Sequence, residues 1–135
     1  MIRDFKREDL DLIDANEFGE LELYRTMIDL VDFKTLTKDG EIMCILGYFK
    51  YWGDNYKSFL IISKKFDYIY ARTARKLLYG LFNQLGACRI ETESPDIPML
   101  NRWHKFLGYE KEGTKVKFME NKDYNVWGML CKEQC

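Results

Sequence analysis

The sequence has little that breaks a chain and little that binds a metal. Of its 135 residues only Pro95 and Pro98 are proline, and both fall in one short stretch. No repeat, low-complexity run or linker interrupts the chain. The expectation is a single domain over residues 1–135, long enough to bury a core. There is one histidine, His104, and the four cysteines (Cys44, Cys88, Cys131 and Cys135) form no C-x-x-C pair. The common zinc sets are thereby excluded. Cys44 and Cys88 fall in apolar segments and read as small core residues, and reduced thiols in a cytoplasmic protein are the expectation. The opening MIRDFKRED has no apolar stretch of the signal-peptide kind, and no apolar run is long enough to span a bilayer. A large excess of one charge is also missing. The formal net charge of −1 argues against a membrane surface or nucleic acid as partner.

What is present is a globular composition with uneven charge. Residues 1–22 hold eight acids against Arg3, Lys6 and Arg7. Residues 64–76 reverse this, with Lys64, Lys65, Arg72, Arg75 and Lys76 against Asp67. The basic stretch joins an apolar run, Phe59–Ile62, to a helical pattern in Ala74, Leu77, Leu78, Leu81, Phe82 and Leu85. A buried strand that feeds a helix through a basic joint gathers backbone N–H groups and positive charge in one place. That is the make-up of an anion site.

Around this unit the chain reads as alternating elements. Ile2–Phe5 is a short strand, and Asp9 opens a helix with Leu10, Ile13 and Phe18 inward. A second helix over 21–30 turns Leu23, Met27, Leu30 and Val31 inward. Phe33–Leu36, Glu41–Trp52 and Tyr56–Ser63 form an antiparallel meander, its first turn marked by Asp39-Gly40. The helix ending at Leu85 is capped by Gly86 and followed by a strand at 87–92, so the strands on either side should lie parallel. A helix to Phe106 stopped by Gly108, then strands at 114–119 and 125–131 about a turn at 121–123, close the chain. The fold class is α+β: a mixed sheet of about seven strands with helices on both faces.

This order, β1-α1-α2-β2-β3-β4-α3-β5-α4-β6-β7, resembles the GCN5-related N-acetyltransferase (GNAT) superfamily. So do the strings IRDFKREDLDLI, LLYGLFNQLGACRIE, WHKFLGYEKEGT and NKDYNVWGML. The resemblance implies an acyl-CoA-dependent N-acyltransferase that uses acetyl-CoA as donor and a small-molecule or protein amine as acceptor. A monomer or homodimer is compatible with it. The family's phosphate loop, Q/R-x-x-G-x-G/A, falls on Ile69 to Ala74. Here Ile69 replaces the first residue and Arg72 the middle glycine, while Ala74 matches. The resemblance makes Ala71, Arg72, Thr73, Ala74 and Arg75 pyrophosphate-binding residues. It also makes Ile62 and Ser63 the strand residues that pair with the pantetheine arm. His104 falls where the family often places a tyrosine acid, and Glu93 is the preferred base. The acidic 17–22 segment suits a cationic acceptor. The departures at Ile69, Arg72 and His104 also resemble small, degenerate members of the fold among phage-encoded proteins, including virion components. That gives an alternative expectation of a binding or structural protein without catalysis.

Overall fold

The computed structural model of the chain describes residues 1–15 and 21–131, residues 21–23 by backbone alone. Its elements are β1 (Ile2–Asp4), α1 (Asp9–Leu12), α2 (Leu21–Met27), β2 (Asp32–Lys38), β3 (Glu41–Trp52), β4 (Asn55–Ile62), α3 (Tyr68–Gln84), β5 (Arg89–Pro95), α4 (Pro98–Phe106), β6 (Glu110–Met119) and β7 (Lys122–Leu130). The seven strands lie in the order β1-β2-β3-β4-β5-β7-β6. β4 and β5 are parallel, as the crossover through α3 demands, and the β1–β2, β2–β3, β5–β7 and β6–β7 pairs are antiparallel. The expected α+β order is therefore present element by element. Asp39 (φ 51°) and Gly40 (φ 82°) make the predicted two-residue turn between paired Lys38 and Glu41. The last hairpin turns one residue earlier than expected, on Glu120 and Asn121, both at positive φ.

The chain divides into two compact units. The first takes Met1–Phe49 and Ser58–Tyr70. In it Leu10, Ile13 and Tyr24 pack with Phe33, Ile45 and Ile61, and Met27 and Phe59 close over them. The first turn of α1 is fixed by a buried charge. Asp9 accepts two hydrogen bonds from the Arg3 guanidinium (2.9 Å each), one from the Lys6 amide (2.9 Å) and one from Thr35 Oγ1 (2.8 Å). Burial alone would raise its pKa. The Arg3, Lys6 and Thr35 bonds together outweigh burial and hold it below the usual carboxylate range. Leu30, expected inward, is 77% exposed. α2 stops at Met27, and the amides of Leu30 and Val31 fold back onto the Met27 carbonyl. Phe18 and the side chain of Leu23 lie outside the described residues.

The second unit takes Lys50–Lys57 and Ala71–Cys135. Its α3 buries Ala71, Ala74, Leu78, Leu81 and Phe82, one stripe at helical spacing. Gly86 and Gly108 end α3 and α4 at positive φ, as read from the sequence. Cys44, in the first unit, is a core residue whose thiol burial pushes up to about 12, and Cys131 is buried. Cys88 departs from expectation. It sits just before β5, half-buried rather than in the core, and is disulfide-bonded. Cys135 lies outside the described residues. Among the described residues no helix is long and apolar enough to cross a membrane, and no group of acidic, His and Cys side chains could hold a metal ion.

Candidate functional site

The expected phosphate loop is helical. α3 begins at Tyr68, about a turn and a half before the predicted start, and includes Ala71, Arg72, Thr73, Ala74 and Arg75. Asp67 sets the start: its Oδ1 accepts the Tyr70 amide at 2.7 Å, an N-cap bond. Beyond the first turn each helical amide donates to the carbonyl four residues back, so those of Arg72 to Arg75 are spent inside the helix. They cannot form the amide cradle that the sequence suggested. Ala71 and Ala74 face the core, while Arg72, Thr73 and Arg75 face solvent. The middle glycine of the loop motif is not needed here, because position 72 is an ordinary helical residue. What survives is charge. Arg72, Arg75 and Lys76 project from the first turns of a helix that holds no acid of its own.

The end of β4 is also more committed than expected. Its parallel ladder with β5 covers three pairs, Asn55 to Lys57 against Arg89 to Glu91. Ile62 ends the strand and is buried. The Ser63 amide donates to Met43 O of β3 at 3.0 Å, and Ser63 Oγ accepts the Lys65 amide at 3.1 Å. Successive amides of an extended chain point to opposite edges. Accordingly the next amide, Lys64, points away from β3, and it donates to Asp14 O at 2.8 Å. Ala15 makes an antiparallel bridge to Ser63 at the same place. The edge of this stretch that faces away from β3 is therefore paired with residues 14 and 15 of the same chain.

The two expected catalytic groups lie on opposite faces of the β5–β7 ladder. Thr92 is opposite Trp127, and Glu93 is opposite Val126. Directly paired residues share a face and neighbours along a strand alternate, so Trp127 and Glu93 face opposite ways. His104 stacks on Trp127 with ring centroids 5.3 Å apart and planes at 16°. It sits edge-on to Tyr109, and its Nδ1–H donates to Leu100 O at 2.7 Å. Trp127 Nε1–H donates to Ser94 Oγ at 3.0 Å, which fixes the stack. Burial lowers the His104 pKa to about 4, against a smaller raising effect of the Leu100 carbonyl. The ring is neutral at pH 7. The imidazolium acid expected from the sequence is not what this environment holds. Glu93 is half-buried between two lysines, 2.8 Å from Lys115 Nζ and 3.6 Å from Lys57 Nζ. A carboxylate so paired is a weak candidate for a base until both lysines are drawn off.

One arrangement was missed from the sequence. The side chain of Asn125, 1% exposed, donates to Asp96 Oδ1 (3.0 Å) and Asn101 Oδ1 (2.8 Å), and its Oδ1 accepts Thr114 Oγ1–H (3.0 Å). Asn101 also donates to Asp96 at 2.9 Å. This net ties the end of β5 to the start of α4, to β7 and to β6. The Asp96-Ile-Pro opening of the helix is the signal that could have suggested part of it.

Comparison with known proteins fits the architecture. No family model matches the chain, and no curated protein matches it in sequence. Solved structures do match it over nearly its whole length. A spermidine N-acetyltransferase chimera from Vibrio cholerae and hSSAT superposes with a TM-score of 0.75 at 15% identity, covering 99% of this chain and 96% of that one. The ribosomal-protein-S18-alanine N-acetyltransferase from Escherichia coli gives 0.73 at 12% identity, covering 97% and 93%. A GNAT-family acetyltransferase from Bacillus anthracis gives 0.70 at 15% identity, covering 97% and 94%. The fold of this chain is that of the GNAT acetyltransferases.

Proposed function

We propose that the chain is an acyl-CoA-dependent N-acyltransferase that transfers an acetyl group to an amine by direct attack in a ternary complex. The observation that supports this reading is the match in fold over nearly the whole length of several N-acetyltransferases. The fit to coenzyme A is divided. Charge suits it, with Arg72, Arg75 and Lys76 exposed at the start of α3. Backbone amides suit it less, since those of Arg72 to Arg75 are used by the helix and that of Lys64 by Asp14. The donor would supply an activated thioester. An amine nitrogen forms the new C–N bond, the C–S bond breaks, and the proton lost from nitrogen balances the one gained by sulfur. The acceptor is a small-molecule or protein amine. The acidic segment that would favour a cationic one lies largely outside the described residues.

A second reading keeps the fold as a binding or structural domain, of the kind found among phage virion proteins, without the chemistry. The Asp67 cap favours it, because a carboxylate stands where a phosphate would otherwise meet the helix start. Thiol release from acetyl-CoA over a panel of polyamines, aminoglycosides and N-terminal peptides decides between the two. Amine-dependent release well above the no-acceptor rate is the expected result. Release equal to that rate for every amine leaves the second reading.

A further inference from the structure

Glu93 is held by two lysines of the same chain, and each lysine ammonium lies near an aromatic ring. Lys115 Nζ is 2.8 Å from the Glu93 carboxylate and 4.4 Å from the centre of the Phe118 ring. Lys57 Nζ is 3.6 Å from the same carboxylate and 5.5 Å from the centre of the Tyr51 ring. A carboxylate and a ring face together hold an alkylammonium group well. The arrangement differs from the surface pairs of the chain. Lys34–Asp4, Lys50–Asp54, Lys65–Glu41 and Lys122–Glu120 have carboxylates 58% to 93% exposed, against 20% for Glu93.

The backbone of β6 sets this up. Lys115 is opposite Tyr124 and Met119 is opposite Lys122, so Val116, Lys117 and Phe118 bulge against Asp123 alone. Lys117 takes φ 51°, and Asp123 Oδ1 accepts its amide at 3.0 Å. The bulge brings Phe118 against the Tyr124 ring, centroids 5.6 Å apart, and beside the Lys115 amine. Glu93 is on the sheet face turned away from Trp127, where His104 of α4 packs. The Lys115 side chain is 42% exposed there. Its amine can be reached from solvent while its protons lie against a carboxylate.

We propose that Lys115 Nζ is a self-acylation site, with Glu93 taking its proton; the proposal rests on the acyltransferase reading above. An outside amine arrives protonated and has to displace Lys115 from Glu93. Lys115 is already there, and an amine tethered beside its base needs no encounter. Glu93 takes one proton of the Lys115 ammonium and passes it to solvent. The freed electron pair attacks the thioester carbonyl, the C–N bond forms and the C–S bond breaks. The second proton leaves nitrogen and ends on sulfur. The amide product is neutral, so Glu93 loses the nearer of its two cations. Lys57 is the poorer target, being farther from the carboxylate and less exposed.

Peptide mass spectrometry after incubation with acetyl-CoA and no other amine tests this directly. Acetylation of Lys115 is expected well ahead of its exposed neighbour Lys117. The fraction labelled should follow a rate that does not depend on protein concentration, since base and acceptor share one chain. Glu93→Gln should slow labelling of Lys115 by about 100-fold or more and leave Lys117 as it was. Uncatalysed acetylation goes the other way, because an ammonium without its carboxylate loses a proton more easily. Labelling of Lys115 no faster than of Lys117, or an unchanged or faster rate in Glu93→Gln, overturns the proposal. A parallel assay with an outside amine separates the two readings. Turnover of that amine without label on Lys115 keeps the enzyme and removes the self-acylation site. Glu93-dependent label on Lys115 without turnover of any outside amine keeps the site and removes the transfer to an outside acceptor.

Discussion

Acidification from pH 7 to pH 4 is expected to cost the fold about 3 kcal/mol through His104 alone. Burial holds its folded pKa at about 4, against 6.5 for the exposed ring. A depressed folded value means that the unfolded chain binds the proton first. Stability is therefore fully present above about pH 6.5 and is lost as pH falls toward the folded pKa. A shift of this size corresponds to about 3 kcal/mol. The groups packed on the ring are Leu100 O, Tyr109 and Trp127, and none of them is a carboxylate that would rescue the imidazolium. Urea unfolding across this range, for the parent and for His104→Phe, isolates the effect. The variant keeps an aromatic ring on Trp127 and removes the titrating group, so its stability should fall by about 3 kcal/mol less. Parallel curves would mean that the ring is solvated or already charged. The same variant bears on catalysis: a pH–rate profile parallel to that of the parent is expected, since a ring neutral at pH 7 donates no proton there.

Trp127→Ala should be the more damaging change, at about 4 kcal/mol. Its side chain is fully buried, stacks on His104 and donates to Ser94 Oγ. Truncating a buried tryptophan typically costs about 3–5 kcal/mol in lost burial and residual cavity, and here it also strands the Ser94 hydroxyl. Against a typical domain stability of about 5–15 kcal/mol, the variant sits near the edge of folding. Trp127→Phe keeps most of the ring and drops the bond, for about 1–2 kcal/mol. Chemical denaturation orders the three proteins. A loss below about 1 kcal/mol for the alanine variant would show that the stack does not support this half of the sheet.

The element order, the Asp39-Gly40 hairpin and the parallel β4–β5 pair were all legible, because each rests on local pattern and short connections. The start of α3 is legible too. Tyr70, Ala71, Ala74 and Leu78 continue the apolar stripe backward, and Asp67 stands three residues before Tyr70 as a cap. The likeness to a glycine loop points the other way, but the glycine itself is absent at Arg72 and the residue is helical. The burial of His104 was also written in the spacing of Leu100, Trp103 and Leu107. Its partner Trp127 lies 23 residues away on another element, and only tertiary structure brings the two together. Asp9 had no local signal at all. An acid in the first turn of a helix usually faces water, and this one is buried because Thr35 and Arg3 meet it from β2 and β1. For the same reason the sequence offers Glu93 as a base, while Lys115 comes to it from β6.

The central proposal is that the chain binds an acyl-CoA. Amide-resolved NMR during an acetyl-CoA titration tests it most directly. Saturable shifts at the amides of Arg72, Arg75 and Lys76 on α3 are expected. A spectrum that stays unchanged at those positions up to millimolar acetyl-CoA would contradict the account and leave the GNAT fold here without its coenzyme.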